Sequence, residues 1–256
     1  MCGRLSPEHL LPQARMYLVR PESEGGAHSV FETVPADVQA YPDLAGARFV
    51  HRQGFAEKRV VQWVYDTFIQ PDKAFLDIGA HVGTYSWTIA PKAAHVYAFE
   101  CSPRTFCYLA ANIAIKGLEY KVTPYPFALG NRDGDITYYV RSEEGGDNGV
   151  KQLTEGDESC RRVTVAMRRL DYFGLRNIGF IKMDVEGFES EVLEGAKETL
   201  RENGWPKILF ESWAKHADSR VPVAELREGV FAKLREIGYT WVPVAGVADM
   251  FIAEHP

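Results

Sequence analysis

The chain has 256 residues, of which 46% are hydrophobic and 25% charged, which suits one globular domain with a sizeable core. Its formal net charge of -6 argues against nucleic acid as the main partner, because such proteins usually carry a basic surface. The sequence has no apolar run long enough to span a bilayer and no signal-peptide core at its start, so we expect no membrane span and a cytoplasmic location.

Prolines interrupt residues 1–50, which predicts an N-terminal extension or cap in front of a main domain at residues 51–256. The main domain is expected to start with a helix over residues 57–69, where Val60, Val61 and Val64 follow helical spacing. From residue 73 onward the pattern alternates between strands and helices.

Five strands are predicted first, at residues 74–79, 95–100, 121–129, 179–187 and 207–213. Helices are predicted between or after them, at residues 83–91, 102–117, 188–204 and 223–238. Four more segments alternate like antiparallel strands, at residues 131–142, 161–170, 239–244 and 249–255. The pattern predicts an α/β fold with a doubly wound, mostly parallel sheet and a C-terminal antiparallel hairpin.

The stretch "FLDIGAHVGTYS", residues 75–86, has the composition of a ligand-binding turn at the end of the first strand. It lacks the lysine of a triphosphate loop and the GxGxxG spacing of a dinucleotide loop. Asp77 would repel a pyrophosphate and attract a cationic ligand. S-adenosylmethionine carries an ammonium and a sulfonium, so this cofactor fits the turn. The alternative is that Asp77 is only a carboxylate at a helix start.

A second acid, Glu100, ends the second strand, where a carboxylate can accept hydrogen bonds from both ribose hydroxyls. The end of the third strand should lie beside the adenine, with Ala128 and Leu129 as contacts. Dehydrogenases also place an acid like Glu100, so this residue does not by itself separate the two cofactors.

Together, "FLDIGAHVGTYS", "VYAFECSP", "NIAIKG", "FALGNRDG", "GFIKMDVEGFESEVLEGA" and "ILFES" resemble the FkbM-type family of S-adenosylmethionine-dependent methyltransferases. The family usually has asparagine where this chain has His81. The resemblance implies a class I methyltransferase (Rossmann-like) fold and O-methylation, often of a sugar hydroxyl. The cofactor-binding residues that follow are Asp77, Gly79, Ala80, His81, Gly83, Thr84, Glu100, Cys101, Ala128 and Leu129.

Methyl transfer to a sugar hydroxyl needs a general base or a metal ion, because the hydroxyl is a weak nucleophile. Asp184 and Glu211 end the fourth and fifth strands, so both carboxylates should reach the crevice. In one mechanism Asp184 or His216 takes the proton; in the other, Asp184 and Glu211 hold Mg²⁺ or Mn²⁺. Lys182 shares the strand face of Asp184 and is expected to pair with a neighbouring acid or to contact substrate.

The leading hypothesis is therefore an O-methyltransferase that acts on a small-molecule or glycan substrate, with its oligomeric state left open. The alternatives are an RNA or protein methyltransferase, a non-catalytic cofactor-binding module, and a nicotinamide oxidoreductase. Net acidity counts against RNA, and the missing GxGxxG loop counts against nicotinamide. A binding module would not need Asp184 and Glu211. The loops at residues 1–50 and 141–162 are expected to cover the crevice, and Tyr138, Tyr139 and Tyr172 are possible sugar contacts.

Overall fold

The computed structural model describes residues 17–19, 39–41, 57–140, 149–150, 160–216 and 221–256. The strands are β1 Tyr17–Val19, β2 Gln39–Tyr41, β3 Ala74–Ile78, β4 His95–Phe99, β5 Val122–Tyr125, β6 Ala128–Leu129, β7 Gly134–Val140, β8 Arg161–Arg168, β9 Ile178–Met183, β10 Lys207–Glu211, β11 Thr240–Pro243 and β12 Met250–Glu254. The α-helices are α1 Lys58–Thr67, α2 Thr84–Ile89, α3 Pro103–Ile115, α4 Glu189–Glu194, α5 Lys197–Glu202 and α6 Val223–Glu236.

The main sheet has seven strands in the order β11-β12-β10-β9-β3-β4-β5. The five strands from β10 to β5 are parallel, and β12 pairs antiparallel with both β10 and β11. The chain moves from β3 to β4 on one side and later returns to β9 on the other, so β3 and β9 flank the point where the strand order reverses. The predicted doubly wound sheet with a C-terminal antiparallel hairpin is confirmed.

The central strands are apolar because helices cover both faces of the sheet. All five residues of β3 are buried, and β9 has only one partly exposed position. Asp77 on β3 and Lys182 on β9 are the charged residues in this layer, and the parallel register places them side by side. The sequence pattern therefore encodes a charged pair inside an otherwise apolar core.

Helix α3 begins and ends as its sequence predicts. Ser102 is the N-cap, its Oγ accepts a hydrogen bond from the Thr105 amide at 3.2 Å, and Pro103 follows at the first helical position. Gly117 lies just past the end with φ +61°, a conformation that glycine adopts without strain. The N-cap fixes where α3 starts, shortly after the acid Glu100 at the end of β4.

The third predicted strand, residues 121–129, is two strands in the structure. β5 pairs with β4 at the edge of the main sheet, and β6 pairs with β8 in a separate three-stranded sheet. Pro126 lies between them and has no amide hydrogen to donate to a ladder, so pairing stops there. Pro124 is tolerated within β5 because it lies on an edge strand.

The single helix predicted over residues 188–204 is divided into α4 and α5. Gly195 separates them, and a Cβ atom at this position would lie 1.9 Å from the carbonyl oxygen of Gly130. The close approach of two backbones therefore requires glycine and bends the chain where propensity alone predicts continuity.

The two strands predicted over residues 131–142 and 161–170 pair antiparallel as β7 and β8. Asp133 directly precedes β7 and Gly134 begins it, and the two strands are joined through residues 141–160. Most of that connection lies outside the described residues, as does most of the predicted N-terminal extension at residues 1–50. Within the extension, β1 pairs with β2, which lies close to α3.

None of the helices in the described ranges is both long enough and apolar enough for a membrane span.

Candidate active site

A cavity of about 220 Å³ lies at the carboxyl ends of β3, β4 and β9. Its walls combine loop glycines, an apolar side and several acids. The described residues that line it are Glu57, Ile78, Gly79, Ala80, His81, Thr84, Tyr85, Phe99, Glu100, Cys101, Thr105, Phe127, Ala128, Leu129, Tyr138, Gly149, Val150, Lys182, Asp184, Val185 and Glu186. Most of the residues predicted to bind the cofactor are among them; Asp77 and Gly83 are not.

The loop after β3 is held tightly in place. The amides of Gly79 and Ala80 both donate to the Phe99 carbonyl, at 3.0 and 2.8 Å. Gly79 has φ +72°, and a Cβ atom there would lie 1.8 Å from the Asp184 carbonyl oxygen, so only glycine fits. The buried Asn112 side chain donates to the Val82 carbonyl at 2.8 Å, so its role in this structure is to anchor the loop.

Asp77 lies behind this loop, not on the cavity wall. Its side chain is fully buried, and Oδ2 accepts a hydrogen bond from the Ser86 hydroxyl at 2.6 Å. Oδ1 has no hydrogen-bond partner and lies 3.9 Å from the Lys182 ammonium. Burial raises the pKa of Asp77, and the positive charge of Lys182 opposes that rise. Asp77 therefore holds the loop through Ser86 and Lys182 from behind the cavity, and its contact with the cofactor stays a prediction.

Lys182 links the loop to the acids. Its Nζ donates to the Gly79 carbonyl at 2.7 Å and lies 3.5 Å from Asp184 Oδ2. Burial acts to lower the pKa of Lys182, but the charges of Asp184 and Asp77 outweigh it and hold the pKa above its usual value. The ammonium group thus stays charged and links strands β3 and β9. Lys182 pairs with neighbouring acids, as the sequence predicts.

Glu100 faces the cavity from the end of β4. Its Oε2 accepts from the His81 amide at 2.9 Å, and its Oε1 accepts from the Ser102 amide at 2.8 Å. Burial raises the pKa of Glu100 to about 7, and these two amide hydrogen bonds oppose the rise. His81 has φ +52°, a conformation in which histidine is uncommon, so its backbone serves to present the amide to Glu100.

Three carboxylates meet beyond β9 and β10, and we call Asp184, Glu186 and Glu211 the acid cluster. One oxygen of each lies within 4.8 Å of the others. Glu211 accepts a hydrogen bond from the Trp213 indole at 3.0 Å, and burial together with the charge of Asp184 raises the pKa of Glu211 to about 8. Glu211 does not line the main cavity but adjoins it through Asp184.

Glu189 is buried close to the acid cluster but has a structural task. Its Oε1 accepts from the amides of Val185 and Gly187, at 3.0 and 3.4 Å. Burial raises its pKa to about 7. Glu189 thus fixes the turn after β9, which places Asp184 and Glu186.

The remaining predicted residues lie in different places. The His216 ring packs against the Trp213 ring at 5.1 Å, outside the main cavity. Tyr138 lines the cavity, whereas Tyr172 is 62% exposed and does not. Gly149 and Val150, two of the described residues of the loop at 141–162, also line the cavity.

Sequence reasoning did not assign a role to Glu57 or Tyr85, or a metal role to Glu186. The Tyr85 hydroxyl donates to Glu57 Oε2 at 2.5 Å inside the cavity wall. Glu186 joins the acid cluster because its backbone has φ +56°, which no sequence pattern near it predicts. Glu57 directly precedes α1 and is held in the cavity wall by Tyr85, which lies 28 residues further along the chain.

The sheet order and the cavity at its switch point define a Rossmann-like fold with a ligand site at the carboxyl ends of the central strands. A family model described as Methyltransferase FkbM domain matches residues 77–239. The chain therefore belongs to the FkbM family of methyltransferases, as the sequence resemblance indicates. The family uses S-adenosylmethionine as its methyl donor.

Two curated relatives are similar over part of the chain. The hexuronic acid methyltransferase AglP of Haloferax volcanii is 31% identical over 133 residues, which cover 52% of this chain and 53% of that protein. The 2-O-methyltransferase NoeI of Sinorhizobium fredii is 28% identical over 172 residues, 58% of this chain and 68% of that protein. This chain thus spans about half the length of the Haloferax protein that it matches.

A solved structure, the methyltransferase FkbM of Methylobacillus flagellatus, has the same fold. It superposes with a TM-score of 0.50 at 16% identity, over 73% of this chain and 44% of that one. At this identity the likeness concerns the fold alone.

Proposed function

We propose that the protein is an S-adenosylmethionine-dependent O-methyltransferase that methylates a hydroxyl of a sugar, in a glycan or a sugar-bearing metabolite. The observation that carries the proposal is the acid cluster, which adjoins the cofactor cavity on the side of Asp184. Acids in this position serve proton removal from a hydroxyl, which a binding module would not need.

The cavity offers matching groups for each part of the cofactor. Glu100 supplies a carboxylate for the ribose hydroxyls, and Ala128 and Leu129 supply an apolar wall for the adenine. Asp184 lies at the other side of the same cavity, where the sulfonium and its methyl group would face the acceptor. Thr84 and Cys101 complete the wall without an assigned chemical role.

The chemistry is an in-line displacement. The acceptor oxygen attacks the methyl carbon while the bond from carbon to sulfur breaks, which leaves S-adenosylhomocysteine as a thioether. The hydroxyl proton passes to the pair formed by Asp184 and Glu211. Burial and the charge of Asp184 raise the pKa of Glu211 to about 8, so Glu211 holds its proton near neutral pH, and Asp184 is the carboxylate placed to accept the hydroxyl proton.

A divalent cation is the second candidate at the acid cluster, because three carboxylate oxygens form a set that Mg²⁺ or Mn²⁺ accepts. Direct proton transfer is favoured for two reasons. The Lys182 ammonium at 3.5 Å already balances part of the charge of Asp184, and Glu211 already accepts the Trp213 indole hydrogen. If a cation did bind, it would polarise the acceptor oxygen.

Removal of metal should therefore leave activity intact. We expect enzyme dialysed against EDTA to turn over at the same rate as untreated enzyme, and added Mg²⁺ or Mn²⁺ to change that rate less than about twofold, because direct proton transfer to a carboxylate needs no metal ion. The measurement is initial rate with and without chelator. Activity that vanishes on dialysis and returns with Mn²⁺ alone would assign the acid cluster to a metal instead.

One relative supports a sugar acid as the acceptor, since it is named for hexuronic acid, and a second supports transfer to oxygen, since it is named for 2-O-methylation. The test is incubation of the protein with S-adenosylmethionine and a panel of sugars, uronic acids and nucleotide sugars, read by mass spectrometry. A gain of one methyl group on a sugar hydroxyl supports the proposal. Methylation confined to RNA or protein in the same assay contradicts it.

Replacing Glu100 with glutamine should weaken S-adenosylmethionine binding by roughly tenfold or more, because a charged acceptor for the ribose hydroxyls becomes a neutral one. Burial raises the pKa of Glu100 to about 7, so the carboxylate is protonated below that pH and ionised above it. Wild-type affinity should accordingly rise with pH through about 7, while the variant should lack this rise. Calorimetry between acidic and alkaline pH measures both effects.

The matched control is Glu228→Gln, which changes an exposed glutamate on α6 that pairs only loosely with Arg235 at 3.7 Å. This control should bind as wild type does at every pH. A pH dependence that persists in the Glu100→Gln variant would assign the titration to another group.

A further inference from the structure

Glu57 brings a carboxylate into the cofactor cavity from outside the segment that matches the family. It directly precedes α1, whereas the family match begins at Asp77. Its Oε2 accepts the Tyr85 hydroxyl at 2.5 Å, and both residues line the cavity. The acid is therefore held in a defined place on the wall and is not a loose surface group.

The backbone of Glu57 is in an unusual state for this position. It has φ 56° and ψ 19°, in the left-handed region, and its side chain makes no capping hydrogen bond to α1. A residue other than glycine rarely adopts this conformation without a compensating interaction. At the start of a helix a polar side chain normally caps the free amides, but here it turns to Tyr85 instead.

A cofactor with a cationic amino acid tail needs a carboxylate near the loop after β3, and the four acids on the wall are not equivalent. Glu100 is held by the amides of His81 and Ser102, on the ribose side. Asp184 and Glu186 belong to the acid cluster, which the proposed function assigns to the acceptor hydroxyl. Asp77, which sequence reasoning assigned to the cation, is fully buried and does not reach the wall.

Tyr85 and Lys182 connect Glu57 to the loop after β3 through a series of contacts. The Tyr85 ring lies 5.5 Å from the Lys182 ammonium, which itself bonds the Gly79 carbonyl at 2.7 Å. Lys182 is also engaged by Asp184 and Asp77, at 3.5 and 3.9 Å. The negative charge of Glu57 acts on this same region, since it helps to hold the pKa of Lys182 above its usual value.

We infer that Glu57 is a cofactor-binding residue that accepts the α-ammonium group of the methionine tail of S-adenosylmethionine, with Tyr85 as the residue that positions it. The inference rests on the proposed function, since it concerns the same cavity. The sequence pattern assigns attraction of the cationic cofactor to Asp77, whereas this inference assigns it to Glu57, the residue before α1.

The test compares three ligands by calorimetry on wild-type protein and the Glu57→Gln variant. S-adenosylmethionine and S-adenosylhomocysteine both carry the α-ammonium, whereas 5′-methylthioadenosine has no amino acid tail. Glu57→Gln should weaken the first two by roughly tenfold or more, as for loss of a charged hydrogen bond, and leave the third within about twofold. Tyr85→Phe should show the same selectivity with a smaller loss.

Equal weakening of all three ligands would make Glu57 a merely structural residue, and no weakening of any would remove it from the site. A thermal melt of each variant shows whether it folds, and Glu57→Asp, with the charge kept on a shorter chain, should lose less affinity than Glu57→Gln. If wild-type protein binds both 5′-methylthioadenosine and S-adenosylmethionine, and Glu57→Gln changes the affinity for both ligands by the same factor, only the Glu57 inference fails. If wild-type protein binds none of the three, the proposed function fails.

Discussion

Replacing Asp184 with asparagine should lower kcat by roughly 10²–10⁴-fold, the range for loss of a general base. The side chain is 26% exposed and lies between the cavity and Glu211, so it is placed to take part in proton removal. Asparagine keeps the shape and can still form a hydrogen bond, but it cannot accept the proton. Affinity for S-adenosylmethionine should stay within about threefold, because the proton acceptor acts mainly in the transition state.

The Asp184→Asn measurement needs steady-state kinetics and cofactor titration on the same preparation. Asp66→Asn is a suitable control, since Asp66 lies on α1 and accepts only an exposed hydrogen bond from Gln62. It should be as active as wild type. If Asp184→Asn keeps most of its turnover, Asp184 is not the proton acceptor, and Glu211→Gln becomes the decisive variant.

Replacing Lys182 with methionine should lower the free energy of unfolding by about 3–5 kcal/mol, the usual cost of removing one partner from a buried ion pair. The side chain of Lys182 is 5% exposed and that of Asp77 is fully buried. Removing the ammonium leaves the Asp77 carboxylate without a cation and the Gly79 carbonyl without its donor. Lys197→Met is the control, since its ion pairs with Glu194 and Glu236 are exposed and screened by solvent, so their loss should change the stability little.

The loss of unfolding free energy in Lys182→Met should depend on pH. Burial raises the pKa of Asp77, and loss of the Lys182 charge should raise it further. Protonation of Asp77 removes its unpaired charge, so the difference between wild type and Lys182→Met should shrink as pH falls. Urea unfolding at neutral and acidic pH measures it, and the double variant with Asp77→Asn should recover part of the loss. Equal stability of Lys182→Met and Lys197→Met would contradict the buried pair.

Sequence reasoning could locate the fold and most of the cavity because both depend on local patterns. Buried apolar strands followed by amphipathic helices indicate a parallel sheet, and parallel strands bring Asp77, Glu100, Asp184 and Glu211 to the same edge. The caps of α3 and the C-terminal hairpin follow from short signals in the same way. These features were predictable without knowledge of distant contacts.

Other features depend on contacts between distant segments, and the sequence pattern does not contain them. Gly195 bends a predicted helix because Gly130 approaches it, although neither glycine is unusual in its own context. Asp77 turns into the core because Lys182 lies beside it in the next strand. Glu57 reaches the cavity because Tyr85 holds it there. In each case the missing information is a partner far away in the chain.

The most direct test of this cavity's role is a calorimetric titration of the protein with S-adenosylmethionine and with S-adenosylhomocysteine, repeated on Glu100→Gln. We expect wild-type protein to bind one cofactor per chain in the micromolar range that enzymes commonly show, and the variant to bind it more weakly. Absence of binding by wild-type protein to either ligand across the pH range would contradict the assignment of this cavity to the methyl donor.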